Sequence, residues 1–308
     1  TPRLAVLGSW SSSPNGAHGG TNAWSRGFRP TGTSAFLTDL SPPARRGEAF
    51  GYLGVAGNAG MALGPALGSW LAVEFGYDAM FLASSALGLA AYLMTLRLPE
   101  TLPDARGVEW QDLNVLKGGT VEPAAWPASV FLLPVAIAFG TFLTVTPDLV
   151  GDLGFVYKGS FNTVVVAASI LARLVAGKAS DRYGRVELLK VGAVLLALGM
   201  ALFSFASSVP VLLAAGIVYG LSIGINMPAI FAWTIDLAPE GKSATALSTM
   251  LMSLEVGIGL GAYVSGSWFA SEPEILLELY GMCAGFGVLG FGFLTCWKRV
   301  HKTGVSAG

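Results

Sequence analysis

Charge is what this sequence has least of: Asp, Glu, Lys and Arg make up 12% of 308 residues, against 53% hydrophobic. A soluble domain carries about 25% charge on a wetted surface, so a water-facing globular fold is excluded and an integral membrane protein remains. Histidine is almost missing. His18 and His301 are the two present, both in terminal segments, which excludes histidine catalysis or a histidine proton relay inside the membrane for this chain. The two cysteines, Cys283 and Cys296, share one apolar segment and give neither a disulfide framework nor a metal site. No G-x-x-x-x-G-K-[ST] loop occurs, which argues against an ATP-driven motor, and no H-E-x-x-H for a metalloenzyme. The acidic pair Asp148 and Asp152 lies at the outer end of a span beside Pro147, where it reads as a solvated helix end. No enzyme, cofactor or nucleic-acid partner is expected.

What the chain has is long apolar runs, and roughly 20 such residues cross about 30 Å of hydrocarbon. Ala49 to Val73, Ala79 to Leu96, Ala124 to Pro147 and Ser160 to Gly177 are each long enough. Val191 to Ile235 is uncharged and too long for one crossing, so it is expected to fold back at Ser207-Ser208-Val209-Pro210. Ala244 to Ala270 and Leu276 to Trp297 complete about eight spans. Continuous rather than alternating apolarity excludes a barrel, so the expected fold is an all-α membrane protein.

Basic residues fall in every second connection: Arg45 and Arg46, then Arg97, Arg106 and Lys117, then Lys178, Arg182, Arg185 and Lys190, then Lys242, then Lys298, Arg299 and Lys302. Those connections are read as cytoplasmic. The opposite ones carry Glu74, Asp78, Asp152, Glu272 and Glu274, with Lys158 as their single base. The expected protein is therefore multi-pass in the cell (inner) membrane, with both ends of the apolar region cytoplasmic.

The chain also matches itself at an offset of 197 residues, pairing Gly27 with Gly224, Asp39-Leu40 with Asp236-Leu237, Pro42 with Pro239 and Gly64 with Gly261. One residue later, Gly68-Ser69-Trp70 matches Gly266-Ser267-Trp268. The two spans before the linker thus correspond to the last two of six after it, in the same orientation, as in a parallel transporter duplication. The implied organisation runs in five parts. Residues 1–40 are a polar, disordered or aberrant segment with the remnant of a fourth helix. Residues 41–96 hold the last two helices of a first half, 97–123 a cytoplasmic linker, 124–298 a six-helix second half and 299–308 a cytoplasmic tail.

Gly177-Lys178-Ala179-Ser180-Asp181-Arg182-Tyr183-Gly184-Arg185 sets four charges in a turn expected between two spans, with a glycine at either end to let a helix stop. It reads either as a latch between moving helices or as a basic cytoplasmic turn that only orients the chain. This stretch resembles the G-x-x-x-D-R-x-G-R loop of the major facilitator superfamily, in its second-half copy. Gly57, Gly60 and Gly64-Pro65-Ala66-Leu67-Gly68 resemble the glycine and proline motif of the fifth helix in its drug/proton antiporter branch, with Ser69 where a second glycine is usual. The resemblance runs from about Gly32 to the C-terminus and finds no counterpart of the first three helices, so the chain reads as N-terminally incomplete. It implies a helix-bundle secondary transporter that exports small organic molecules in exchange for protons by alternating access. An inactive truncated fragment and an uptake symporter of the same superfamily are the alternatives.

Several residues are candidates for that work. The resemblance implies a cytoplasmic gate of Gly177, Asp181, Arg182, Gly184, Arg185 and Asp236, with Asp236 pairing Arg182 or Arg185. Glu255 interrupts an apolar span, where a carboxylate is costly and must face a cavity, a partner or a proton, so it is the candidate for proton coupling. Its repeat mate is Asn58. Asn58, Phe142, Tyr219, Asn226 and Trp233 are candidates for lining the substrate cavity, with ordinary packing as the plainer reading of each. Arg173 is expected to snorkel to the cytoplasmic interface or to pair with a carboxylate. Gly60, Gly64, Pro65 and Gly68 are expected to make a close helix contact, since glycines four apart share a helix face. Small-molecule substrate, protons and lipid are the partners implied.

Overall fold

The computed structural model describes Phe36 and residues 46–97, 121–240, 242–271 and 275–305. The expectations for residues 1–40, including Asp39 and the helix remnant, and for most of the 97–123 linker lie outside the described residues. Within them the fold is all helical: α1 Arg46–Thr95, α2 Trp126–Asp152, α3 Ser160–Tyr183, α4 Arg185–Ser204, α5 Val209–Leu237, α6 Ser243–Ser271 and α7 Leu276–Val305. A short 3-10 turn, Pro123–Ala125, precedes α2.

Helix α1 holds two of the expected spans in one element. At Gly76 the backbone turns to φ 84, ψ 167, which only glycine enters at little cost, and the helix resumes at once. The connection expected between Val73 and Ala79 is thus a single-residue kink. The fold-back is where the sequence puts it, with α4 ending at Ser204 and α5 starting at Val209. The start of α4 differs: its span was expected from Val191, but the helix begins at Arg185. Arg185, Glu187 and Lys190 form its polar first turns.

Leu82, Leu87, Leu171, Leu174, Val191 and Leu289 point outward. Helices apolar on their outer faces are suited to lipid, since a helix bonds most of its backbone groups internally. Inside, α2 packs on α6 and α7, α4 on α5 and α7, and α3 on α5. Phe131, Leu132, Leu189, Leu196, Leu212, Ile230 and Met250 fill this six-helix bundle, none more than 1% exposed.

Small residues set its tightest contacts. A Cβ on Gly140 of α2 would lie 2.2 Å from the Ile258 carbonyl oxygen, and one on Gly257 or Gly261 of α6 would lie 2.5 Å from Ala136 Cβ or 2.1 Å from the Ile137 oxygen. Lipid tails are as apolar as the helix faces, so close backbone approach is what holds such helices together. At the N-terminal end of α4 Lys190 (3.0 Å) and Lys298 both bond Glu187, joining α4 to α7. Glu122, 6% exposed, takes Lys242 at 3.1 Å, and its N–H donates to Thr249 Oγ1 at 2.9 Å.

Candidate functional site

Helix α1 touches the bundle chiefly along α3, and this seam is polar. Its chemistry starts with Pro65, which has no N–H and so leaves the carbonyl of Met61, four residues back, without its helical donor. Asn162 Nδ2 on α3 donates to that oxygen at 3.1 Å, and Thr163 Oγ1 donates to the next carbonyl, Ala62, at 2.9 Å. Gly159 lies beneath them: a Cβ there would sit 1.8 Å from the Pro65 oxygen and 2.9 Å from Ser69 Oγ. Residues 58, 61, 62, 65 and 69 share one helix face, and that face carries the contact.

The seam is closed by a bond at either end. Beside the Gly76 kink, Tyr157 O–H donates to Glu74 Oε1 at 2.6 Å, and this bond raises the tyrosine's pKa above its usual 10.0 because the carboxylate favours the protonated phenol. Deeper in, Arg173 Nη1 donates to Asn58 Oδ1 at 3.1 Å. Arg173 is part-buried here, with its Nε shut away from the surface and without a partner among the described residues. It is tied to α1 through Asn58.

The four small residues expected to make the close contact are divided. Pro65 is in it, whereas nothing lies within 4 Å of a Cβ on Gly60 or Gly64, and Gly68 meets only Met80 Sδ at 3.9 Å. Their face is turned away from α3.

The loop motif is not a turn. Gly177 is inside α3, which continues to Tyr183, and Gly184 alone (φ 92, ψ 149) separates α3 from α4, its N–H bonded to the Ser180 carbonyl at 3.0 Å. Helical bonding carries through Gly177 because nothing there demands a positive φ. Asp181 falls within α3, and its side chain lies outside what is described. Arg182 stacks over its neighbour Tyr183, 5.3 Å from the ring centroid.

Arg185 makes the pair with Asp236, Nε donating to Oδ2 at 3.3 Å, while Nη1 donates to Ser180 Oγ at 2.9 Å. Each charge is misplaced by its own helix, a cation in the first turn of α4 and an anion in the last turn of α5. Each corrects the other. The pair ties α4 to α5.

Four cavity candidates are in the core. Phe142 and Trp233 are 4% exposed, Tyr219 and Asn226 1%. Phe142 and Tyr219 rings lie 4.8 Å apart, and Phe203 and Tyr280 continue the cluster. Asn226 Nδ2 donates to Ser222 Oγ at 3.1 Å, which donates to the Gly192 carbonyl at 2.8 Å. These four fill the bundle, and only Asn58 of the five stands in the seam. Glu255 is exposed on α6 beside Val256, Gly259 and Leu260, with no hydrogen bond or ion pair among the described residues. Asp148, near the C-terminal end of α2, is bonded by Lys158 at 3.3 Å, both half exposed.

Sequence reasoning passed over Tyr157, Gly159, Asn162 and Thr163. Their signal was Pro65, since a proline inside a span announces an orphaned carbonyl and a donor that must come from another helix.

Comparison with known proteins fixes what this arrangement belongs to. The family model described as the Major Facilitator Superfamily matches residues 22–165 and 129–307. The chain belongs to this superfamily.

Among superfamily relatives, the D-xylose transporter of Levilactobacillus brevis is 29% identical over 143 residues, 42% of this chain and 31% of that protein. The human solute carrier family 2, facilitated glucose transporter member 12, is 30% identical over 125 residues, 41% of this chain and 20% of that one. The quinolone resistance protein NorA of Staphylococcus aureus is 25% identical over 167 residues, 53% of this chain and 41% of NorA. The matches thus span between a fifth and about two fifths of these relatives' length. A POT family transporter shares the fold with a TM-score of 0.68 at 12% identity, over 98% of this chain and 80% of that one. A D-xylose-proton symporter does so at 0.60 and 16%, over 95% and 78%. Fold and family agree on a multi-pass membrane protein of a transporter superfamily.

Proposed function

We propose that this chain is a secondary active transporter that exports small organic molecules in exchange for protons by alternating access, in the cell membrane with both ends of its apolar region cytoplasmic. The polar seam between α1 and α3 carries this reading. Two units that rock past one another need an interface of bonds that can be exchanged, and Tyr157–Glu74, Asn162–Met61, Thr163–Ala62 and Arg173–Asn58 are four hydrogen bonds of that kind. The proline-bearing stretch Gly64-Pro65, which resembles the antiporter motif, and the similarity to NorA favour export. Glu255, exposed on a membrane helix without a partner among the described residues, is suited to take up and release a proton. The Arg185–Asp236 pair acts as the cytoplasmic gate by holding the α3–α4 junction in place.

A second reading, proton-coupled uptake of a sugar, is favoured by the two relatives named as xylose and glucose transporters. One experiment separates them: proteoliposomes containing the chain, given a proton gradient of either sign and offered a lipophilic dye or labelled xylose. Export predicts that dye moves against the proton flow and that Glu255→Gln stops it. Xylose moving with protons supports the second reading, and movement of neither with a fully folded chain sinks both.

A further inference from the structure

We propose that the groove between α3, α4 and α5 binds one anionic phospholipid of the surrounding bilayer, with an acyl chain in the groove and the phosphate on Arg182. This site is separate from the α1–α3 seam and does not depend on whether, or in which direction, the chain moves a substrate.

Helices α3 and α4 both pack on α5, and the three leave an open groove of about 310 Å³ between them. Ala172, Ala176 and Ala179 make its α3 wall low, and leucine and isoleucine side chains of α4 and α5 complete it, so that every lining side chain is apolar. Leu171 and Val175 stand on its rim, 63% and 66% exposed. Water does not fill so apolar a recess, and an empty one leaves its lining atoms without dispersion partners. What lies against it in a membrane is hydrocarbon chain. A chain seated there touches three helices, more than one lying on a single outer helix face.

Charge decides which lipid supplies that chain. Residues 171, 175, 179 and 182 are spaced four, four and three apart, so they share one face of α3, and the edge of the groove runs on to Arg182. The line from Leu171 to Arg182 is about 16 Å long, close to half of a hydrocarbon core of about 30 Å, which is the reach of one leaflet's chains. The apolar span of α3 ends at Gly177. Arg182 stands about 7–8 Å further along the axis, at the depth of the headgroups that border the hydrocarbon. It lies in the last turn of α3, where the helix dipole favours a cation, and it is exposed, its guanidinium 5.3 Å from the Tyr183 ring centroid. No carboxylate pairs with it among the described residues. A guanidinium so placed offers its planar fork to two phosphate oxygens, and basic sites between membrane helices hold anionic headgroups.

The test titrates the purified full chain in detergent with phosphatidylglycerol and with phosphatidylcholine of the same oleoyl chains, and counts retained lipid by native mass spectrometry. The first phosphatidylglycerol is expected to bind about fivefold tighter than the first phosphatidylcholine, the preference that one arginine near the surface gives. Arg182→Gln removes that preference, whereas Lys158→Gln, the same change of charge before the other end of α3, leaves it. Val175→Trp, which covers the groove from its rim, weakens both lipids. Should a variant not fold, the parent chain carries the test alone: phosphatidylglycerol with a photoactivatable group on its acyl chain is expected to label the groove residues of α3, α4 and α5 ahead of the other outer faces. Labelling spread evenly over all helices overturns the proposal, as does equal binding of the two lipids. So does a preference that Arg182→Gln keeps or that Lys158→Gln removes, or a Val175→Trp chain that binds both lipids like the parent. Oleate binding tighter than phosphatidylglycerol overturns it in favour of a free fatty acid, and a dimer that shields the groove from label overturns it in favour of a second copy of the chain.

Discussion

Gly257 of α6 and Gly60 of α1 stand 197 residues apart, at matching places in the internal repeat, and the same substitution is expected to act oppositely on them. A Cβ at Gly257 would lie 2.5 Å from Ala136 Cβ and 2.8 Å from the Leu133 carbonyl oxygen, while at Gly60 nothing comes within 4 Å. Gly257→Ala must push α6 off α2 by several tenths of an ångström. A gap of 0.5–1 Å forfeits about a quarter to a half of each contact along the interface, and overpacking of this sort costs roughly 1–3 kcal/mol. Gly60→Ala meets no neighbour in this chain and gains about 1 kcal/mol of helix propensity. A separation of about 2 kcal/mol between the variants corresponds to roughly 4–8 °C in melting midpoint for a unit of this size. Cys283 supplies the assay: it is 0% exposed, while Cys296 is accessible. In a Cys296→Ser background, a thiol-reactive dye reports only the unfolding that uncovers Cys283. Gly257→Ala melting with the parent, or Gly60→Ala melting as low as Gly257→Ala, would refute the packing argument.

Two other perturbations address the bonds at either membrane face. Arg185 and Asp236 side chains are 28% and 53% exposed, so Arg185→Asp or Asp236→Arg alone should change stability by only about 1 kcal/mol while lowering transport strongly. The double swap should recover transport, and a swap no better than the single variants would count against the pairing. At the other face, the hydrogen bond to Glu74 raises the pKa of Tyr157 above 10.0. A proton held more tightly in the closed seam than in the open one stabilises the closed form below the ordinary tyrosine pKa, and that contribution is lost as pH rises through the raised value. The distance between spin labels beside the Gly76 kink of α1 and at the Ser160 end of α3 should therefore stay constant through neutral pH and widen above about pH 10. Tyr157→Phe should be wider throughout and insensitive to pH, and a parent chain whose distance ignores alkali would contradict this account.

The spans were legible because hydropathy is high whether a helix face meets lipid or packs inside the bundle. Hydropathy was silent where a helix leaves the membrane, so α4 looked as if it started at Val191 although Arg185, Glu187 and Lys190 are its first turns. Glycine spacing revealed that Gly60, Gly64 and Gly68 share a face but could not say what the face meets. Their mates Gly257 and Gly261 are buried against α2, while the seam runs through Pro65 instead. Asn226 looked like a cavity residue because Gly224 and Pro228 flank it and loosen the helix. The missing information was on another helix: a Cβ at Gly192 would lie 2.1 Å from Asn226 Oδ1, so α4 makes a pocket for the amide. Arg173 was legible as an anomaly, but its bond to Asn58 joins residues 115 apart, and single-chain spacing carries no such information.

The difference between the two kinds of contact says where a rocking motion would run. Within the bundle, α2 and α6 meet through backbone set against Gly140, Gly257 and Gly261. Such surfaces interlock, and sliding them drives carbonyl oxygens into Cα atoms before any contact is released. Along the seam, four side-chain hydrogen bonds join α1 to α3 and the loop before it. The three formed along the helices, Asn162–Met61, Thr163–Ala62 and Arg173–Asn58, are each worth about 0.5–1.5 kcal/mol net, a sum of a few kcal/mol, the scale that separates two populated conformations. The carbonyl freed by Pro65 keeps the cost of opening from falling further, because Met61 needs a donor from outside α1 in either state. Water can serve that need when the seam is open, and Asn162 when it is shut. Motion is therefore expected to keep the six-helix bundle rigid and to concentrate at α1 against α3, where every bond that breaks has a replacement within reach.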